Sequence, residues 1–412
     1  LHALRLLHRA EQADGCLRAS PRPCRYGVAP MVAPRLTYCG NVHPAYDLDS
    51  WLAVLDACAV PLAAEAAARG RPFGLGAWWP APQARLLAQD PQAQQRVRAA
   101  LQQRGLALWT LNVFPVDAFH AERVKTAVYR PDWRTEERLA YTRDCAEAAA
   151  ALAPPGSVVP LSTLPLGYSE QPPGHDELRL MARNLARAAS MLAAIRARTG
   201  VHCVLALEPE PECLLETCHA AAAFLEQWLF EEGAWSTIPA AVLRAHLGIC
   251  VDLCHLAVVG EDPLAALVDL AQRGIAVPKI QVSSCLEVRS AEALDRLLSF
   301  DEPRYLHQTA NARGDRALDL DQVRAQRDRF ATGGTIRTHF HMPLWWDEAG
   351  AFGSTRSEVE RVLRALPQVL DPLPLLEVET YTWSVLGSFG GEESLPRRIG
   401  RELDFAANLF GC

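Results

Sequence analysis

The chain has 412 residues, enough for one large barrel or two smaller domains, with half of them apolar and a formal net charge of −7. This acidic balance, without a lysine or arginine block, argues against an electrostatic nucleic-acid binder and for a small-molecule partner. No run approaches the roughly 18 to 20 uninterrupted apolar residues of a membrane span, and the 12 cysteines include no CxxC pair, so the expectation is a cytoplasmic protein with reduced core thiols.

Residues 1–34 read as an appendage, a disordered extension or one upstream of the biological start at Met31. They are arginine-rich, carry a Ser-Pro-Arg-Pro turn and lack the apolar core of a signal peptide. A functional basic extension is the alternative. From Arg35, short apolar strands alternate with longer helical stretches rich in Ala, Leu and Arg, the pattern of repeated βα units around a parallel sheet. In chain order the spacing predicts strands over Leu36–Cys39, Phe73–Trp78, Leu106–Val113, Val158–Leu161, His202–Glu208, Leu247–Asp252, Lys279–Ser283, Thr335–His341 and Leu375–Glu379. Helices are predicted over Asp47–Arg69, Pro91–Gln103, Thr135–Leu152, Asp176–Thr199, Pro239–Ala245, Ala291–Ser299 and Ser357–Leu370. The expected fold is an α/β (β/α)8 TIM barrel over 35–390, closed by a C-terminal helix within 391–412 whose Ile399, Leu403, Phe405 and Leu409 pack on the barrel. Nine strands compete for eight places, the doubtful pair being Lys279–Ser283 and Thr335–His341.

Four strand ends carry acids or imidazoles, where a parallel barrel displays its catalytic groups. In Leu207-Glu208-Pro209-Glu210-Pro211 the alternating prolines enforce extended backbone, so Glu208 ends a strand and faces the barrel mouth. Asp252 and His255 follow Leu247–Val251 with a spacing that sets both over one opening, a helix N-cap being the bland reading of the aspartate. His339 and His341 are two apart, as are Glu377 and Glu379, so each pair shares a strand face. Buried without partners these groups would be costly, whereas one divalent metal ion (Mn, Co, Mg, Fe or Zn) would satisfy them together. Asn41, His43, Asn112, His120 and Lys125, at or after early strands, suit the substrate side of the mouth. Trp78, Trp79, Trp345, Trp346 and Trp383 are candidate aromatic walls. Lys125, Arg130 and Arg337 suit an anionic group or surface ion pairs equally, leaving substrate charge open.

The order Glu, Asp-x-x-His, His-x-His, Glu along the late strands resembles the xylose isomerase-like TIM barrels, which include sugar isomerases, ketose 3-epimerases and metal-dependent apurinic endonucleases. Within them, Leu36-Thr37-Tyr38-Cys39-Gly40-Asn41-Val42-His43-Pro44, Asn112–Pro115, Phe119-His120, Val124-Lys125, Tyr129–Trp133, Leu207–Pro211, Lys279–Ser284, His339–Leu344 and Glu377–Trp383 look like the EboE family of metabolite traffic proteins. The resemblance implies Glu208, Asp252, His341 and Glu377 as metal ligands and Glu208 and Glu377 as the acid/base pair. It implies His255 on a substrate oxygen, and His339, Glu379 and Trp383 beside the substrate.

The implied reaction is isomerisation or epimerisation of a sugar, sugar phosphate or sugar-like precursor in secondary metabolism, by proton transfer through a metal-bound enediolate. Other proteins of the same pathway are implied partners. If Lys279–Ser283 is the seventh barrel strand, Gln281 takes the place of the usual histidine ligand. If Thr335–His341 is, the set is intact. The same barrel also suits a non-catalytic metabolite carrier, and less well an endonuclease-type phosphodiester hydrolase.

Overall fold

The computed structural model describes residues 34–410 apart from 118, 170, 171, 232–234, 236 and 385–392, so the readings made on residues 1–33 lie outside the described residues. Each of the nine apolar runs forms a strand. In chain order the strands are β1 Leu36–Tyr38, β2 Leu75–Trp78, β3 Leu108–Asn112, β4 Val158–Thr163, β5 His202–Leu207, β6 Leu247–Asp252, β7 Lys279–Val282, β8 Ser284–Val288, β9 Thr309–Asn311, β10 Arg316–Ala317, β11 Ile336–Met342, β12 Glu348–Ala349, β13 Phe352–Ser354 and β14 Leu375–Val378. Eight of them pair in parallel in the order β1-β14-β7-β6-β5-β4-β3-β2. At the seam the Thr37 hydroxyl of β1 donates to the Gly74 carbonyl just before β2 at 2.6 Å, which brings the sheet's two ends together as a barrel.

Period-two alternation divides each strand between helix layer and lumen. Tyr38, Leu75, Leu111, Leu161, Leu205, Leu207, Ile249, Val251, Ile280, Val282, Leu376 and Val378 join one apolar core with the surrounding helices. The other parity is unusually polar: Thr37, Glu377, Gln281 and Asp252 lie side by side in register across β1, β14, β7 and β6, as do Lys279 and Cys250 one layer below. All six are fully buried. Lys279 Nζ lies 2.5 Å from Glu377 Oε2 and donates to Ser162 Oγ at 3.1 Å. Gly76 stands opposite, and a β-carbon there would overlap the Glu377 carboxylate.

The two doubtful strands resolve differently. Lys279–Val282 is the seventh barrel strand, and Ile336–Met342 is not a barrel strand at all. It belongs to an antiparallel sheet of order β10-β9-β11-β8-β13-β12. After Ser283 the path of β7 continues directly as β8, which pairs with β11 and β13 instead of with barrel strands. Residues 284–354 are thus inserted between the seventh strand and its helix Arg356–Val369, with a second apolar core around Leu286, Val288, Leu294, Phe330, Phe340 and Phe352.

Helices missed by the periodicity reading are short or Ala-rich, such as Ala81–Gln89, Cys218–Leu225, Leu253–Val259 and Pro263–Gln272. The helical run Leu48–Ala68, 21 residues, is long and apolar enough to cross a membrane by length and composition. It carries Asp49, Asp56 and Glu65, and it sets Trp51, Leu55, Cys58 and Leu62 into the barrel core. Its start is fixed by Asp47, whose carboxylate accepts the Ser50 N–H while the Ser50 hydroxyl takes the Asp47 N–H, a capping box.

The lumen ion pair gives a direct test. Lys279→Met strands Glu377 as a lone buried charge and is expected to cost about 3–5 kcal/mol in denaturant unfolding. The double variant Lys279→Met/Glu377→Gln recovers much of that loss. A single variant as stable as the parent would show that the pair does not hold the lumen.

Candidate metal centre

Backbone geometry delivers each polar group to the mouth. β5 stops at Leu207, and the Glu208 amide still bonds the Thr163 carbonyl at 2.9 Å, which extends the ladder one residue and leaves the Glu208 side chain on the lumen parity. β6 ends in Asp252, which also N-caps helix Leu253–Val259: its Oδ1 accepts the His255 N–H at 2.9 Å and the Ser283 hydroxyl at 2.7 Å. Cap and site are therefore not alternatives, because Oδ2 stays buried with no hydrogen-bond partner. Glu379 directly follows β14, held by its amide on the Val282 carbonyl. His339 and His341 come from the inserted sheet, where the β11–β8 register breaks between Thr338 and His341. Such a bulge re-aims side chains next to a site.

Three imidazoles meet here. His255 Nδ1 faces the Pro209 carbonyl at 2.9 Å, and His341 Nδ1 faces the Glu379 carbonyl at 2.5 Å. Carbonyls accept only, so both Nδ1 atoms carry the proton. His339 Nδ1 meets Gln308 Oε1 at 2.8 Å, the amide being oriented by its NH2, which donates to the Tyr129 hydroxyl and to Glu210 Oε1. All three Nε2 atoms are left as lone pairs, and they converge: His255 to His339 is 3.2 Å and His339 to His341 is 3.1 Å. Asp252 Oδ2 lies 4.0 Å from both His255 Nε2 and His341 Nε2. Facing lone pairs repel unless a cation sits among them.

The carboxylates tell the same story. Glu208, Asp252 and Glu379 each offer an oxygen within 4.8 Å of the others, and Asp252, His255 and His341 form a second such group sharing Asp252. Burial pushes the Glu208 carboxyl up to about 7 and raises that of Glu379 well above its usual range, with neighbouring carboxylates adding to both. Burial also works against ionised Asp252, but the His255 and His341 imidazoles outweigh it and lower its pKa. For His255 burial is outweighed by Asp252, Glu210 and Glu208, which raise it, whereas burial lowers His341 to about 4. A divalent ion takes neutral imidazoles and ionised carboxylates, so a bound ion would draw protons from Glu208 and Glu379 and hold His255 neutral. The donor set of oxygen and imidazole nitrogen suits Mn²⁺, Fe²⁺, Co²⁺, Mg²⁺ or an open zinc site.

Glu377, expected to be a ligand and half of the acid/base pair, lies one layer down the same strand face with its carboxylate against Lys279, and it is Glu379 whose carboxylate comes within 4.8 Å of Glu208 and Asp252. Gln281 lies on the seventh strand but outside the donor groups, buried with neither amide atom hydrogen-bonded. Asn41 and Asn112 donate to Glu379 Oε1 at 2.7 and 3.4 Å, and Asn41 Oδ1 is buried without a partner. His120 holds the Asn41 carbonyl, His43 is turned aside onto the Tyr38 hydroxyl at 3.1 Å, and Lys125 pairs with Asp319 at the rim.

Above the donors opens a cavity of about 560 Å³ lined by Asn41, Asn112, Lys125, Glu208, His255, His339 and Glu379. Its aromatic wall is Phe114, Phe119, Tyr129, Tyr305 and Tyr381, not the tryptophans. Trp383 lies in the second core beneath Arg398, Trp345 and Trp346 pack on that same core, Trp79 is buried in the barrel core, and Trp78 is buried behind the cavity wall against Phe119 and Tyr305. Among the residues not singled out beforehand, Tyr381 follows Glu379 by two and Tyr129 lies in an already noted stretch. Tyr305 and Gln308 sit in the insertion with no sequence signal.

The model of the family described as xylose isomerase-like TIM barrel matches residues 63–302. No curated protein matches the chain in sequence. Among solved structures, a D-tagatose 3-epimerase-like protein shares 11% identity over 92% of this chain and 97% of its own, with a TM-score of 0.46. An IolI protein with a bound zinc atom shares 13% over 90% and 96%, with a TM-score of 0.45. D-Allulose 3-epimerase from Methylomonas sp. shares 16% over 60% and 73%, with a TM-score of 0.37.

Metal analysis of protein purified without added metal separates the two eighth-strand glutamates. Near-stoichiometric divalent metal is expected in the parent and in Glu377→Gln, and its loss in Asp252→Ala, His341→Ala and Glu379→Gln. Retention in Glu379→Gln with loss in Glu377→Gln would reverse the assignment.

Proposed function

The chain belongs to the xylose isomerase-like TIM barrel family, and from that premise we propose that it is a metal-dependent isomerase or epimerase of a sugar, sugar phosphate or sugar-like metabolite. We propose further that it serves the metabolite-handling role of the EboE proteins that its motifs resemble. The observation carrying this reading is the convergence of three imidazole lone pairs and three buried carboxylates on the floor of one aromatic-walled cavity. Glu208, Asp252, His341 and Glu379 would hold the ion, with His255 and His339 beside it. When bound, a divalent ion supplies the Lewis acidity that loosens a proton on carbon next to a carbonyl.

The chain's own residues do the rest. Glu208, with an oxygen free of hydrogen bonds, is the acceptor for the carbon-bound proton. Glu379, oriented by the two asparagine amides, is the opposing carboxylate. Asn41 Oδ1 is the acceptor for a substrate hydroxyl, and the phenol and phenyl rings exclude water while offering apolar faces to a sugar ring. A carrier needs the cavity but not two carboxylates on opposite sides of a carbon.

The test is Glu208→Gln, which keeps shape and removes the base. Solvent-deuterium incorporation into a panel of ketoses, sugar phosphates and cyclitols, followed by NMR, is expected in the parent and to fall by roughly 10²–10⁴-fold in the variant. Binding of panel compounds by both proteins with exchange in neither would leave a carrier.

A further inference from the structure

The helix Leu395–Asn408 packs Ile399, Leu403, Ala406 and Ala407 against the barrel, and packing alone would be met by an apolar residue at every inward position. Yet Glu402 lies on that face fully buried. Its Oε1 accepts the Leu344 N–H at 3.1 Å and the Thr380 hydroxyl at 2.7 Å, while Oε2 has no hydrogen-bond partner. A buried carboxyl is costly, and burial here pushes it up to about 8, so those two bonds are what offset its presence.

The two donors are not arbitrary. Leu344 follows His341 by three residues, and Thr380 follows Glu379 by one. The same two segments are cross-tied by His341 Nδ1–H on the Glu379 carbonyl and by the Thr382 hydroxyl on the His341 carbonyl, both at 2.5 Å. One segment follows β11 of the inserted sheet and the other follows β14 of the barrel, so Glu402 supplies the third side of a brace where the two modules meet. We propose that Glu402 is a positioning residue of the metal centre, through which the C-terminal helix sets the distance between His341 and Glu379. This rests on the metal reading above.

The experiment uses the full chain and two readouts, Co²⁺ binding by visible absorption and hydrogen exchange by mass spectrometry. Glu402→Leu is expected to weaken Co²⁺ binding by about 10–100-fold and to speed exchange in 341–344 and 379–383 while leaving β5 protected. Glu402→Gln keeps the accepting oxygen and is expected to restore both. Parent-like Co²⁺ affinity in Glu402→Leu would overturn the proposal. If the parent itself binds no Co²⁺, the metal reading fails and exchange alone decides: unchanged exchange in the two segments overturns the brace, faster exchange upholds it. Should Glu402→Leu fail to fold, Thr380→Val removes one donor. An intermediate loss in both readouts then supports the brace, and none overturns it.

Discussion

Everything at the mouth of this barrel turns on the Asp252 carboxylate. One oxygen is fully spent on neutral donors, the His255 amide and the Ser283 hydroxyl, so the group is rigid before any ligand arrives. The other oxygen faces two imidazoles and, across the mouth, two more carboxylates. Hydrogen bonds to a side chain that is also a helix cap cost little, because the cap is needed in any case. Ser283 contributes from the point where β7 becomes β8, so the residue that orients Asp252 also marks where the insertion leaves the barrel.

That departure explains how a barrel whose seventh strand offers only Gln281 still gathers imidazoles. The path continues past Ser283 into a sheet of its own, and β11 returns antiparallel to β8 toward the mouth, carrying His339 and His341. The continuous β7–β8 path, in the barrel ladder at one end and in the second apolar core at the other, is the stiff arm on which β11 is carried. The remaining freedom lies across the gap between β11 and β14, where His341 and the Glu379 carbonyl, Thr382 and the His341 carbonyl, and the two donors on Glu402 are found.

The barrel itself was plain in the sequence because its outward faces are continuous apolar runs separated by amphipathic helices, and burial of those faces is the main driving force. Glu208 and Asp252 were legible for a related reason: each is the first charge after such a run, and a proline or a helix start follows. The choice between Glu377 and Glu379 was not. Period two places both on the lumen side, and only depth decides: Glu377 lies within reach of Lys279 on the neighbouring barrel strand, a residue far away in sequence. Ile336–Met342 misled in the same way, since a buried antiparallel strand and a barrel strand share one local pattern and differ only in their partners. Tyr305 and Gln308 carried no signal because their roles come entirely from the insertion's placement.

The depth of Glu377 also has chemical consequences for the layer above. Its charge is matched by an ammonium held at 2.5 Å, so the lower lumen is close to neutral, and Gly76 leaves room for the pair where a larger residue would push it upward. At the mouth Glu208, Asp252 and Glu379 lie within 4.8 Å of one another beside asparagine amides, a hydroxyl and imidazoles. One strand face thus carries two acids in opposite electrostatic settings two residues apart. A lysine completes the first, and the second is the arrangement that the proposed ion would complete.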